Sequence, residues 1–393
     1  MKQAPISPLR RARAWLVNGL IMLISFGVAG LMALALAPVP TQRMFWTIFP
    51  PSTVLYREGM GDVLAYQHTI TRPPIDPYRV LAIYPLAWDA DGLRVPAHTA
   101  ARYPIAVVGD SFSEGASVAR PFPDGLATAL RLPVRNLGVR ATGPTEQALL
   151  VTALATEHPP EVLVMQFFGG NDISDTDSFT WRGEFVQPAV WRPQEAETPL
   201  STRLWRYPYD DALVKVEKYP VYAETQAGLI PVNLLEGYLW AYNVTAEDLA
   251  ASYALRKTRR AWGAMAAATQ AACVIVLYVP SKEELYLPLI QPEDRARIFD
   301  TSYRNVVRAE GDIFRLEPAP DLTYEALVER LPLIGDAVIA AAEAEGYRVL
   351  DMRPIMHAAA QRGELLFYDY DTHLKQRGHD LIANALAQVV REC

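Results

Sequence analysis

The chain of 393 residues contains only two cysteines, Cys273 and Cys393. Two cysteines cannot build the disulfide framework that stabilises many small secreted domains. Cys273 begins an apolar run, so we expect it to be an inert buried thiol. Because 51% of the residues are hydrophobic, the chain can bury a sizeable core. Its length fits one large domain with additions, or two domains.

Motifs of nucleotide and metal chemistry are also missing. The chain has neither a G-x-G-x-x-G fingerprint nor a Walker A sequence, so nothing indicates a nucleotide cofactor. No H-x-H or H-E-x-x-H spacing occurs among the six histidines, which leaves a metal site without support. The net charge of −7, with no Lys/Arg block outside the N-terminus, argues against a nucleic-acid partner. We therefore expect no cofactor, no metal and no nucleic acid.

Charged residues are absent from positions 14 to 42, and residues 14–37 are almost wholly apolar. A helix of this length spans the hydrocarbon core of a bilayer, about 30 Å at about 1.5 Å per residue. Four basic residues precede it: Lys2, Arg10, Arg11 and Arg13. The positive-inside rule then predicts that residues 1–13 are cytoplasmic, residues 14–37 are a transmembrane signal-anchor, and the remainder is periplasmic or extracellular.

A cleaved signal peptide is the alternative, since Ala35-Leu36-Ala37 resembles a cleavage site. No second apolar stretch approaches the length of the first. The sequence thus predicts a single-pass protein of the inner (cytoplasmic) membrane, with the lipid bilayer as a partner of its N-terminal helix.

Beyond the predicted anchor, residues 38–102 form a juxtamembrane segment without a clear period, and residues 103–393 form one α/β domain. In that domain, apolar runs typical of buried strands alternate with helical patterns. The strand-like runs are Ile105–Val108, Val134–Asn136, Val162–Phe168, Cys273–Val279 and Arg348–Leu350. The helical patterns are Phe122–Leu130, Pro144–Thr156, Thr245–Ala271, Tyr324–Glu345 and Lys375–Val390. This alternation predicts a parallel sheet flanked by helices on both faces.

Residues 173–244 interrupt the alternation and are rich in aromatic side chains, including Trp181, Trp191 and Trp205. One interpretation is an insertion whose aromatic residues pack on each other. The other is a cap over an active site, where aromatic rings could contact a sugar ring or an acyl chain. We expect residues 173–244 to be a cap-like insertion, whose ligand the sequence does not specify.

Three short motifs carry chemical information, and the first is Gly109-Asp110-Ser111 at the end of the strand-like run Ile105–Val108. A turn there presents the serine hydroxyl at the carboxyl edge of the sheet, where open α/β sheets bind ligands. Taken alone, Asp110 or Ser111 could equally be a helix N-cap. No glycine follows two residues after Ser111, so this is not the G-x-S-x-G elbow of α/β-hydrolases.

The second motif is Gly169-Gly170-Asn171-Asp172, after the strand-like run Val162–Phe168. The glycines leave room for the amide of Asn171 to reach the carbonyl oxygen of a substrate. Asn-Asp is also ordinary turn chemistry, which is the alternative.

The third motif is Asp371-Thr372-His373, before the amphipathic C-terminal pattern. A histidine base needs an acceptor for its Nδ1–H, and a nearby carboxylate supplies one. Asp371 is the predicted partner, and Asp369 is the alternative.

In this order the three motifs resemble the SGNH (GDSL-like) hydrolase and acyltransferase superfamily, over about Ile105 to Val390. The resemblance implies a three-layer, flavodoxin-like fold and a catalytic triad of Ser111, His373 and Asp371. It also implies supporting roles for three residues of the motifs: Asp110, Gly170 and Asp172.

The oxyanion hole implied by the resemblance consists of the N–H of Ser111, the amide of Asn171 and a backbone N–H from a second conserved block. That block corresponds to residues 136–143, where many relatives have Ser-Gly and this chain has Arg140-Ala141. We assign the N–H to Gly143, with the amide of Ala141 as the alternative.

The Asp-x-His spacing, together with Pro280-Ser281-Lys282, shows some resemblance to the alginate O-acetyltransferase-like branch. The sequence therefore predicts a membrane-anchored serine esterase that acts on acyl or acetyl esters, with a carbohydrate ester as the expected substrate. The alternative is an O-acetyltransferase that modifies an envelope or exported polysaccharide and receives its acetyl group from a membrane donor protein. A second alternative is a non-catalytic glycan-binding or scaffold protein with the same fold.

Overall fold

The structure, a computed structural model, describes residues 22, 25–29, 93–115, 118–139, 142–181, 221–234, 236–299, 322–368 and 372–393. In the N-terminal part of the chain, Met22 and residues 25–29 are helical and exposed. Most of the predicted signal-anchor and all of residues 38–92 lie outside the described residues. Within the described ranges, no helix is both long enough and apolar enough to cross a membrane.

The strands that the structure describes form two sheets. In chain order they are β1 (Ile105–Gly109), β2 (Val134–Gly138), β3 (Val162–Phe168), β4 (Val221–Thr225), β5 (Gly228–Val232), β6 (Cys273–Val279) and β7 (Arg348–Asp351). Five of them form a parallel sheet in the order β2-β1-β3-β6-β7, while β4 and β5 form an antiparallel hairpin. The central strands β1, β3 and β6 are largely apolar because helices cover both faces of the sheet.

Helices fill the connections between the strands. They are α1 (Ser111–Glu114), α2 (Phe122–Leu130), α3 (Pro144–Leu154), α4 (Asp172–Trp181), α5 (Glu236–Ala241), α6 (Ala246–Ala251), α7 (Tyr253–Thr269), α8 (Lys282–Tyr286), α9 (Pro292–Arg295), α10 (Tyr324–Ala344), α11 (Arg353–Gln361) and α12 (Gln376–Arg391). Two short 3-10 turns, Leu287–Leu289 and Ala296–Phe299, flank α9. Helix α2 packs on α12, and α3 packs on α7, which gives the helix–sheet–helix layers that right-handed crossovers produce.

The order of the strands determines where a site can form. From β1 the chain crosses to β2 at one edge and then returns past β1 to β3, so the direction of growth reverses between β1 and β3. Open α/β sheets bind ligands beyond the carboxyl ends of the strands at this reversal. The predicted serine and asparagine motifs follow β1 and β3, and the fold therefore places them side by side.

The predicted parallel α/β sheet is confirmed, and its strands agree with the sequence patterns to within a residue or two. The helical pattern Thr245–Ala271 is divided in two at Ser252, whose backbone is extended (φ −57°, ψ 125°). The Ser252 hydroxyl accepts a hydrogen bond from the N–H of Leu255 and so begins α7 as a new helix.

The prediction of a free thiol at Cys273 was wrong, because Cys273 and Cys393 form a disulfide. Cys273 begins β6, and Cys393 follows the end of α12, 120 positions later in the chain. The bond ties the C-terminus to the amino end of a central strand. Disulfides persist in oxidising compartments, so this bond is compatible with an exported domain.

Candidate active site

Ser111 is the first residue of α1, in a tight turn at the carboxyl end of β1. A Cβ atom at Gly109 would lie 2.2 Å from Oε1 of Gln166, so only glycine fits at this position. That oxygen accepts hydrogen bonds from the N–H of Asp110 (3.2 Å) and the hydroxyl of Ser113 (2.9 Å). A buried glutamine of β3 thereby fixes the turn that carries Ser111.

The Asn-x-Gly pair of the second block supports the same helix from β2. The side-chain amide of Asn136 donates to the carbonyl of Ser113 (2.7 Å), and its Oδ1 accepts from the N–H of Gly138 (2.9 Å). A Cβ atom at Gly138 would lie 2.3 Å from the backbone nitrogen of Glu114. This close approach explains why the pattern requires glycine here.

Arg94 fixes the segment that follows α1. Its side chain is buried, and its guanidinium donates to the carbonyl oxygens of Val118 (3.1 Å), Ala119 (3.0 Å) and Glu114 (3.3 Å), and also to that of Gly115. Several N–H donors of a planar guanidinium are thus used on one short loop. Arg94 therefore stabilises the backbone of the loop that follows Ser111.

His373 reaches Ser111 from the loop before α12. Its Nε2 atom lies 2.8 Å from Oγ of Ser111, and its ring lies 5.4 Å from that of Phe112 between centroids. Both Ser111 and His373 are half-buried. The structure therefore brings two of the predicted triad residues into hydrogen-bond contact, whereas Asp371 and Asp369 lie outside the described residues.

Asn171 follows β3 and is half-buried. Its Nδ2 donates to Oδ2 of Asp175 on α4 (2.7 Å), which leaves the second N–H of the amide for another acceptor. Gly170 is packed tightly, because a Cβ atom there would lie 2.5 Å from the Phe168 ring and 2.6 Å from the Tyr238 ring. Phe168 stacks on Phe112 at 3.9 Å between centroids.

Gly143 differs from the predicted role. Its N–H donates to the side chain of Glu146 (2.9 Å) at the start of α3, which is one half of a capping box, because glycine has no side chain to make the other half. A Cβ atom there would lie 2.5 Å from the backbone nitrogen of Thr176, so Gly143 is needed for contact with α4. Its N–H is therefore already used, and the alternative donor, Ala141, lies outside the described residues.

Buried carboxylates surround the serine turn. Burial raises the pKa of Asp110 to about 6, while the hydrogen bond from the N–H of Phe112 and the nearby His373 oppose this shift. Burial also raises the pKa of Asp172 well above its usual value, and the neighbouring Asp110 adds to the rise. Asp172 accepts from the N–H of Phe168 (2.7 Å), which holds the end of β3. Asp110 and Asp172 are thus structural acids of the two loops.

A second histidine, His379, has a structural role. His379 is buried, and its Nδ1 accepts from the N–H of Phe122 (3.2 Å). Burial lowers its pKa to about 3, and the nearby Arg94 and His373 act in the same direction. Among the described residues, no group of acidic, histidine and cysteine side chains could hold a metal ion.

Sequence reasoning missed Gln166, which it treated as part of an apolar strand. A polar residue inside an otherwise apolar run was the available signal, since a buried amide needs hydrogen-bond partners. The role of Glu146 was likewise not predicted, although a glutamate three residues after a helix N-cap often accepts from the N–H of the N-cap residue.

No protein-family model and no curated protein sequence matches the chain. Among solved structures, it is similar to a gut microbial diltiazem-metabolizing enzyme, at 11% identity over 75% of this chain and 48% of that one (TM-score 0.36). This chain thus spans about half the length of that enzyme.

Two further similar structures carry superfamily names. One is a member of the lipolytic protein G-D-S-L family from Veillonella parvula, at 14% identity over 74% of this chain and 98% of that one (TM-score 0.37). The other, from Slackia heliotrinireducens, is described as an SGNH hydrolase, with 14% identity over 74% of this chain and 99% of that one (TM-score 0.35). The resemblance to the SGNH superfamily rests on the three motifs, the parallel sheet and the contact between Ser111 and His373 rather than on these distant matches.

Proposed function

We propose that the chain is an SGNH-type serine enzyme that cleaves or transfers acyl groups of esters. The observation that carries this proposal is the 2.8 Å contact between Nε2 of His373 and Oγ of Ser111 at the reversal point of the sheet. His373 takes the proton of the Ser111 hydroxyl while Oγ attacks the carbonyl carbon of the ester. The protonated imidazole then gives its proton to the leaving alcohol, and an acyl-enzyme remains. Asp371, two residues before His373, is the proposed partner of Nδ1–H.

The negative oxygen of the tetrahedral intermediate needs donors on the other side of Ser111. Ser111 begins a helix, and the first N–H groups of a helix lack intrahelical acceptors. The second N–H of Asn171 is a further donor at the end of the adjacent strand. Because the N–H of Gly143 is used by Glu146, we assign the backbone donor of the second block to Ala141.

Acyl or acetyl esters of a carbohydrate are the proposed substrates, and a membrane-anchored domain outside the cytoplasm is the proposed setting. The uncharged residues 14–37 and the disulfide between Cys273 and Cys393 support that setting. The Asp-x-His spacing and the aromatic insertion favour O-acetyl transfer to a polysaccharide as the second candidate. Transfer requires that the acceptor hydroxyl be held in near-attack geometry, where it can outcompete water.

The two candidates are separated by product analysis of the full-length protein in detergent. An activated acetyl ester is supplied with and without an oligosaccharide acceptor, and free acetate and acetylated sugar are both quantified. An esterase releases acetate at a rate that does not depend on the sugar, whereas a transferase diverts the acetyl group to it. Ser111→Ala is the control, and an unchanged yield from that variant would contradict both candidates.

A further inference from the structure

Lys282 is a buried lysine beside the loop that carries His373. It is the first residue of α8 and is only 2% exposed. Its Nζ atom donates to the carbonyl oxygens of Tyr368 (2.6 Å) and Asn233 (3.0 Å). A buried ammonium group is costly unless its donors are satisfied, and these two carbonyl oxygens accept from it.

The residue that Lys282 holds is itself paired with His373. The N–H of Tyr368 donates to the carbonyl oxygen of His373 (3.0 Å), and Phe367 forms an isolated antiparallel bridge with Leu374. Tyr368 and His373, which stand on either side of residues 369–372 in the sequence, are therefore held together. A continuous path of hydrogen bonds runs from Lys282 through the Tyr368 backbone to His373, and from His373 to Ser111.

Two more contacts connect α8 to residues 364–368, the segment before His373, which we call the arm. The hydroxyl of Tyr286, one turn after Lys282, accepts from the N–H of Leu366 (3.0 Å) and donates to the carbonyl of Glu364. On the other side, Asn233 directly follows β5, the last strand of the hairpin in the insertion. Lys282 thus joins the end of the insertion to the arm that leads into His373.

We propose that Lys282 is a positioning residue for His373, which fixes the Tyr368 backbone so that the imidazole stays within hydrogen-bond distance of Ser111. This inference rests on the proposed function and adds a role to a residue that touches no reacting atom. Without the ammonium group, the Tyr368 carbonyl loses its buried donor and the arm can shift. A displacement of about 1 Å in a reacting group can cost roughly 10²-fold in rate.

The test compares Lys282→Met with Lys257→Met in the full-length protein. Lys257 is a matched control because it is also a buried lysine, 9% exposed, on α7, where its Nζ lies 4.3 Å from the centroid of the Tyr253 ring. Four quantities are measured: kcat and KM for an acetyl ester, amide hydrogen exchange of residues 366–375, and the thermal midpoint. We expect Lys282→Met to lower kcat by roughly 10- to 100-fold with little change in KM.

Lys282→Met should also speed exchange of the Tyr368 amide, whereas Lys257→Met should change the thermal midpoint alone. If Lys282→Met keeps the wild-type kcat or the wild-type exchange at Tyr368, or if Lys257→Met lowers kcat to the same extent, the inference is overturned. Should Lys282→Met not fold, Lys282→Gln is used, and a folded, fully active Lys282→Gln with unchanged exchange overturns it equally. Wild-type protein that neither turns over the ester nor reacts with a fluorophosphonate at Ser111 contradicts the proposed function instead, and the exchange measurement still tests the role of Lys282.

Discussion

Nε2 of His373 and Oγ of Ser111 lie 2.8 Å apart, although 262 positions separate the two residues in the sequence. Ser111 is placed by the end of β1 and His373 by the loop before α12, so their contact depends on the packing of the whole sheet. Each side has its own support, because Gln166 and Asn136 fix the serine turn while Lys282 holds the arm before His373. The site is therefore supported by buried polar groups on β2, β3 and α8.

Ser111→Ala and His373→Ala should each lower ester turnover by roughly 10⁴-fold or more while the thermal midpoint stays unchanged. Because the nucleophile and its base act as a unit, the double variant should lose little more than either single variant. The measurement is kcat/KM for an activated acetyl ester, with circular dichroism as the control for folding. Additive losses would show that the two residues do not act together.

Asp371→Asn should reduce kcat strongly, because an amide at that position favours the wrong imidazole tautomer of His373. Asp369→Asn serves as the matched control, since it makes the same change two residues earlier and should have a smaller effect. Steady-state kinetics of both variants decide between the two partners. A larger loss in Asp369→Asn would reverse the assignment.

Asn171→Ala should lower kcat by about 10²- to 10³-fold with little change in KM, because an oxyanion donor acts mainly in the transition state. Asp175→Asn is the control. It removes the negative charge of the carboxylate that accepts from Asn171, but it leaves the side-chain amide of Asn171 unchanged. That variant should retain most of the activity. Equal losses in both variants would assign Asn171 a structural role only.

The strands of the parallel sheet and the motifs at their ends could be predicted from the sequence. The strands were predictable because a sheet buried on both faces needs continuous apolar runs, and the motifs at their ends converge once the sheet forms. The use of the Gly143 N–H by Glu146 was not foreseen, since it is a local capping contact that competes with the role implied by the resemblance. Short elements such as α1 and the hairpin of β4 and β5 carry too few residues for a clear period.

The disulfide was missed for a different reason. Cys273 and Cys393 are separated by 120 positions, and their approach depends on where α12 ends relative to the start of β6. The sequence around either cysteine does not indicate that the two lie close together in the fold. Lys282 was noted only as part of a short motif, since its contacts with Tyr368 and Asn233 come from segments far away in the chain.

Cys393→Ser should lower the free energy of unfolding by about 2–4 kcal/mol under oxidising conditions, because the disulfide closes a long loop in the unfolded chain. Cys273→Ser should give a similar loss, and dithiothreitol should bring the wild type to the same stability. Chemical denaturation followed by fluorescence measures all three. Detection of two free thiols in the untreated wild-type protein would contradict the bond.

Glu284→Gln should change how the stability of the fold depends on pH. Glu284 is buried behind the asparagine loop, where Oε2 accepts from the hydroxyls of Tyr278 (2.9 Å) and Tyr242 (3.3 Å). Burial raises its pKa from 4.5 to about 8, although Arg353 opposes the shift. The folded state therefore holds this proton more tightly than the unfolded state, and the stabilisation that the protonated group contributes is lost as the pH rises from about 4.5 through about 8.

A glutamine keeps an uncharged acceptor for the two hydroxyls and cannot ionise. Glu284→Gln should consequently show a flatter decline in the free energy of unfolding between pH 5 and pH 8 (about the interval between the two pKa values) and should be more stable than wild type near its upper end. Glu343→Gln, on the exposed side of α10, is the control and should leave the wild-type slope unchanged. Urea unfolding at a series of pH values provides the measurement. If Glu284→Gln has the wild-type slope, or becomes less stable than wild type only at high pH, then Glu284 is ionised in the folded protein and its pairing with Arg353 outweighs its burial.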